Sequence, residues 1–282
     1  MSSEALNKSF RYAGTSGGRI VTSKSPDALP RCVPTRVDFH VKILDESVVR
    51  RAKARDIDVL VYAPHFTRLP EIEARARRFS DDDLLVVPAR EVFTGSWRDR
   101  KHVLAVGLDE PVPDFVTLEG AMDALDRHAG AVLAPHPDFL TVSLDQNDLE
   151  QYAHVVDGVE IYNPKHLTRH NRRAQHLAER LDYPVFGSSY AHLPTTVGEV
   201  WTEFDRDIEG VDDLTTALGE GAVRRVKRRS GLAHRAKCAL EQAHLGYENT
   251  WEKIDRLLLS GMEETHPENI AYDGEYDAVS VY

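Results

Sequence analysis

Arg36-Val-Asp-Phe-His40-Val-Lys42 alternates apolar Val37, Phe39 and Val41 with Asp38, His40 and Lys42, the period-2 pattern of a strand. A strand that finishes in Asp, His and Lys directs polar chemistry out of its carboxyl end, where barrels and open α/β sheets build their sites. Four later apolar runs finish in the same way: Val59-Leu-Val-Tyr-Ala-Pro-His65, Leu84-Leu-Val-Val-Pro-Ala-Arg-Glu91, Ala131-Val-Leu-Ala-Pro-His136 and Val185-Phe-Gly-Ser-Ser-Tyr-Ala-His192. A single histidine at a strand end is usually a hydrogen-bonded structural residue. Histidine or glutamate at five strand ends predicts a converging ring of metal ligands.

The 282 residues carry a net charge of −11, with basic charge mostly on arginine. This fits an archaeal-like acidic protein and disfavours a sequence-blind grip on nucleic acid, which needs a positive footprint. The basic run Ala222-Val-Arg-Arg-Val-Lys-Arg-Arg-Ser230 reads as a solvated helix face. No apolar run is long enough to cross a bilayer, and the first thirty or so residues lack a signal peptide's apolar core, so the expected location is cytoplasmic, with no membrane partner. Cys32 and Cys238 are too far apart in sequence for a metal-binding motif, and no disulfide framework is expected.

Residues 1–30 lack periodicity and read as a flexible arm; Gly14 to Gly18 is not a phosphate loop, because no Gly-Lys-Ser/Thr follows. From residue 31 to 210, short strands alternate with helices, among them Leu69 to Phe79 and Leu118 to His128, with Gly130 read as a helix stop. This predicts a parallel α/β architecture, a barrel rather than an open sheet. Residues 211–282 read as a helical extension with Trp251, finishing in an acidic tail from Glu263.

Imidazole and carboxylate are the usual catalytic ligands of zinc, manganese and iron. The candidates are His40, His65, Glu91, His102, His136 and His192, with Asp45 as an added carboxylate. His128, His154, His166, His170, His176, His234, His244 and His266 fall in helices or loops and read mostly as surface residues.

In order, these motifs resemble the PHP family, named for polymerase and histidinol phosphatase. The residues carrying the resemblance are Asp38-Phe-His40, Ala63-Pro-His65, Ala89-Arg-Glu91, His102-Val-Leu, Ala134-Pro-His136-Pro, Gly158-Val-Glu-Ile-Tyr-Asn163 and Ser188-Ser-Tyr-Ala-His192. The resemblance implies a distorted (βα)7 TIM-like barrel and a metal-dependent phosphoesterase in which metal-activated water cleaves a phosphomonoester or nucleotide-type substrate. It also implies departures. Lys42 stands where a second histidine ligand is expected, Tyr190 where an aspartate is expected, and Pro64 replaces another aspartate. Asp45 comes two residues before the expected carboxylate position, which Ser47 holds. The implied cofactor set is one or two divalent ions (zinc, manganese or iron) rather than three. Lys42 and Arg90 are candidate phosphate contacts alongside catalytic Glu91, though drift in a site that no longer needs three metals explains both equally well. The implied partner is a small phosphorylated substrate; the alternative is a catalytically inactive module of the same fold that binds a ligand, RNA or protein.

Overall fold

The computed structural model describes residues 34–96, 98–138, 142–244 and 264–281. The predicted amino-terminal arm, Cys32 and the Trp251 region lie outside them. The elements follow in the order β1 (Thr35–Val41), α1 (Glu46–Lys53), β2 (Val59–Tyr62), α2 (Leu69–Phe79), β3 (Leu85–Thr94), β4 (Lys101–Leu108), α3 (Leu118–His128), β5 (Ala129–Ala134), α4 (Gln146–Gln151), β6 (Gly158–Tyr162), α5 (Thr168–Leu181), β7 (Val185–Gly187), β8 (Val200–Phe204), α6 (Val211–Gly219) and β9 (Arg224–Arg228). Residues 232–244 add a further helix, α7.

The strands form one sheet in the order β7-β6-β5-β4-β3-β2-β1-β8-β9. Strands β4 and β8 run against their neighbours, and the other strands share one direction. The sheet curls until the chain after β7 returns to its start: Ser188 bridges Phe39, and the Gly187 N–H donates to Thr202 Oγ1 at 3.0 Å. The result is a nearly closed α/β barrel. It keeps the expected class but not the expected all-parallel pattern, because β4 pairs antiparallel with both β3 and β5 and no helix separates β3 from β4, whereas α3 lies between β4 and β5.

Inward-facing Val37, Phe39, Val59, Val61, Val87, Leu104, Leu133 and Phe186 fill the barrel. Leu214, Ala217 and Leu218 of α6 pack into the same cluster, so α6 closes the end opposite the strand carboxyl termini. Its approach explains Gly130, which is not a helix stop: α3 finishes at His128 and Gly130 lies within β5. A Cβ there would come 2.7 Å from Thr215 Cγ2, so the backbone needs glycine to let α6 in.

Residues 211–228 therefore continue the barrel rather than begin an extension. The basic run is also not a helix face. It forms edge strand β9, paired with β8, and Arg224 turns inward to donate to the Val185 and Asp157 carbonyls at 2.9 and 3.2 Å. The described part of the acidic tail is docked on the fold. Tyr272 and Tyr276 are buried against α3 residues in the outer core, and the Thr117 N–H donates to the Val279 carbonyl at 2.8 Å. The periodicity of that segment is hidden because two buried tyrosines, rather than a stripe, anchor it. No described helix is long and apolar enough to cross a membrane.

If α6 is a structural plug, Leu218→Ala should cost about 2–5 kcal/mol of unfolding free energy, as a buried leucine truncation does. Denaturant titration reads this directly; a loss within error of zero would mean that α6 is peripheral.

Candidate metal centre

Every element that contributes to the site does so at one end of the barrel. His40 lies in β1 and His65 follows β2. Glu91 lies in β3, and His102 opens the antiparallel β4 beside it. His136 follows β5, Lys165 follows β6, and Tyr190 and His192 follow β7. Simple alternation would turn His40 away from Phe39, which faces the barrel interior. The β1–β2 register slips between Asp38 and Val41, and His40 takes φ 65°. The slip brings Phe39 and His40 both inward. His136 (φ 36°) and Tyr190 (φ 46°) share this left-handed geometry, which costs about 1–3 kcal/mol per non-glycine residue and concentrates at functional sites.

The Glu91 carboxylate is the hub. Oε1 lies 3.2 Å from His102 Nδ1 and 3.2 Å from His136 Nε2. Oε2 lies 2.9 Å from His65 Nε2 and 3.3 Å from His40 Nε2. Lys42 Nζ donates to Oε2 at 2.5 Å and to the Ala63 carbonyl at 2.7 Å. Burial alone would raise the Glu91 carboxyl, but the Lys42 ammonium and the surrounding imidazoles hold it well below the ordinary value. Burial, helped by the Lys42 charge, pushes His40 far down and His65 to about 3. Burial brings Lys42 down to about 8, against the pull of Glu91. His40 and His65 are thereby held in the neutral form, the form that binds metal.

Among the described residues, Glu91, His102 and His136 form a group whose ligand atoms all lie within 4.8 Å of one another. In a tetrahedral zinc site, adjacent ligand atoms stand about 3.3 Å apart, given bond lengths near 2.0–2.1 Å. The two 3.2 Å separations at Oε1 match that spacing, so this donor set fits a divalent cation. The surroundings orient it further. Ser143 Oγ lies 2.9 Å from His136 Nδ1, and the His136 N–H donates to Glu160 Oε2 at 2.7 Å. Asp38 supports the rear of the site by accepting from the Ser189 and Gly198 N–H groups at 2.9 and 2.8 Å.

Three candidate residues do not meet Glu91. Arg90 alternates with Glu91 along β3 and so faces outward, where it is fully buried and donates to Asp114 Oδ2 at 2.8 Å. The same aspartate accepts from the Phe93 N–H and the Thr265 hydroxyl. Arg90 therefore ties the carboxy-terminal segment to the barrel and is not a phosphate contact. Asp45 is exposed and caps α1 by accepting from the Ser47 and Val48 N–H groups, which leaves its carboxylate committed away from the histidines. His192 reaches the site but meets an amine: its Nδ1 lies 2.5 Å from Lys165 Nζ.

Two functional residues lie outside the sequence reading, Lys165 and Glu241. Lys165 Nζ sits 4.0 Å above the Tyr190 ring and 3.3 Å from Glu241 Oε1 of α7. Glu241 also accepts from the His192 N–H at 2.5 Å and the Thr196 hydroxyl at 2.7 Å. In the reverse direction, barrel residue Glu199 receives His234 (2.9 Å) and Lys237 (2.5 Å) from α7. Lys165 could have been found by the strand-end rule, since it follows β6; Glu241 could not, because it arrives on a helix outside the barrel repeat. His234 is also not a surface residue but buried, and the half-buried His166 ring lies 5.9 Å from that of His136.

A family model described as PHP-associated matches residues 168–223. No curated protein matches the chain. Among solved structures, PsfC from Pseudomonas syringae is similar at 18% identity and TM-score 0.57, over 76% of this chain and 98% of that one. A protein of Bifidobacterium adolescentis assigned as a metal-dependent phosphoesterase is similar at 14% identity and TM-score 0.40, over 56% and 88%. The lesion-specific endonuclease EndoQ of Pyrococcus furiosus is similar at 14% identity and TM-score 0.48, over 69% and 58%. Identities this low speak to fold alone. The chain is thus similar to PHP-associated sequences over residues 168–223 and shares a fold with the first of these structures.

Two outcomes are expected. Arg90→Met should cost about 3–5 kcal/mol, because it strands the buried Asp114 charge; a stability unchanged on chemical denaturation would show that the pair is dispensable. Burial pushes the Asp38 carboxyl up to about 7 from 3.8, against its hydrogen bonds. Its stabilising contribution is thus fully present below the unfolded value and lost as pH rises through about 7. The unfolding free energy of the wild type relative to Asp38→Asn should fall across that window, and a flat difference would contradict the assignment.

Proposed function

We propose that this chain is a metal-dependent phosphoester hydrolase acting on a small phosphorylated compound, with one divalent cation held by Glu91, His102 and His136. The observation that carries this reading is the pair of imidazole nitrogens, both 3.2 Å from one carboxylate oxygen of a buried, ionised glutamate. A divalent ion there supplies Lewis acidity and lowers the pKa of water.

The protein's own residues would do the rest. Glu91 balances charge and spaces the two histidines. Ser143 fixes the orientation of the His136 ring from its far nitrogen, as outer partners of metal-bound histidines do. Lys42 carries three N–H donors, of which two meet Glu91 and Ala63. The third can meet a phosphate oxygen, and the ammonium acts as a fixed point charge.

A second reading has an observation of its own. Lys42 already satisfies Glu91, and the Tyr190 ring fills the space beside His40 at 4.5 Å. A metal-free module that binds a ligand or partner would be built in this way. The two readings separate on metal content.

Purified protein should hold one zinc, manganese or iron ion per chain by elemental analysis, and chelation should abolish phosphomonoesterase activity. Glu91→Gln should remove both ion and turnover, and Ser143→Ala should weaken metal affinity about 10–100-fold. Folded protein that binds none of these ions would favour the binding module instead.

A further inference from the structure

The two oxygens of Glu91 have matching surroundings. Oε1 lies between His102 and His136, and Oε2 lies between His40 and His65. The halves offer the same donors and differ in one group. On the Oε2 side, the Lys42 ammonium stands 2.5 Å from the oxygen and 2.7 Å from the Ala63 carbonyl. His40 on that side is fully buried, and among the described residues neither of its ring nitrogens has a geometrically formed hydrogen bond, although Nε2 approaches Oε2 at 3.3 Å. Buried imidazoles are normally satisfied. This one borders a position that the ammonium occupies without satisfying it.

We propose that Lys42 is a built-in monovalent stand-in for a second divalent cation: the centre accepts one ion as it stands and two once the Lys42 charge is removed. An ion bound to Oε2 would need to lie about 2.0–2.2 Å from it. Nζ already stands 2.5 Å from the same oxygen, so the two cannot share the space. Charge argues in the same direction. Lys42 neutralises Glu91, and an ion on the Oε1 side then adds two positive charges. Another ion beside the ammonium would meet repulsion from both and no further carboxylate, because Glu91 is the only acidic side chain within bonding distance of the four imidazoles among the described residues. A neutral side chain at position 42 leaves two imidazoles, a carboxylate oxygen and a backbone carbonyl around a space of cation size. That is a donor set of the kind manganese and zinc accept. The stand-in also differs from a metal in a way that matters to the protein: a chelator cannot remove it.

The first ion in this scheme rests on the function proposed above; the increment does not. The test titrates wild type, Lys42→Met and Lys42→His with Mn²⁺, counts bound ions after gel filtration, and records electron paramagnetic resonance spectra for coupling between neighbouring ions. The expected result is one ion in the wild type, one more in each variant, and a coupled-pair spectrum in the variants only. Folded variants with the wild-type count, or with no coupled spectrum, would overturn the proposal. Circular dichroism guards against misfolding: a variant that folds only when Mn²⁺ is present supports it, and variants unfolded with and without Mn²⁺ overturn it. A wild type that binds no ion would sink the preceding reading alone, because the count that matters here is the difference.

Discussion

The site depends on one buried carboxylate. Glu91 has no exposure to solvent, and an ionised carboxylate in such a place is tolerated only when partners replace its hydration. Here one ammonium and the imidazoles of His65, His102 and His136 do so, with His40 packed 3.3 Å from the same carboxylate. They arrive from β1, the turn after β2, β4 and the turn after β5, so the barrel must close for the charge to be supported. The local strain follows from the same demand. The slip in β1 that turns His40 inward, and the left-handed backbones of His136 and Tyr190, are unfavourable on their own and persist because each aims a ring at the centre.

Three further buried carboxylates hold the periphery by the same physics. Asp114 binds Arg90 and Thr265 and so anchors the carboxy-terminal segment. Glu241 carries α7 to the barrel mouth, and Glu199 receives that helix in return. Truncating one partner of such a pair costs more than the pair contributes, since it leaves a desolvated charge behind. The mouth is therefore a set of mutually dependent ion pairs, and α7 belongs to its wall.

Much of this was legible in the sequence. The period-2 run from Arg36 to Lys42, and four more runs finishing in His or Glu, identified the strand ends that converge. Of the seven candidate ligands, His40, His65, Glu91, His102 and His136 meet around one carboxylate. The failures have physical causes. Arg90 was misread because adjacency in sequence means opposite faces on a strand. Asp45 was misread because a carboxylate just before a helix is more often its cap than a ligand. The β9 run was misread because arginines on an edge strand can turn inward to carbonyls, a pattern that charge alone does not distinguish from a helix face. Glu241 could not be read at all, since its role depends on how α7 docks.

The most direct measurement is a crystal structure of metal-loaded protein with anomalous diffraction recorded at the metal edge. The account predicts a single anomalous peak bonded to Glu91, His102 and His136, with Lys42 Nζ still on the other Glu91 oxygen. A peak between His40 and His65 with Lys42 displaced, or no peak at the Glu91 centre, would contradict it.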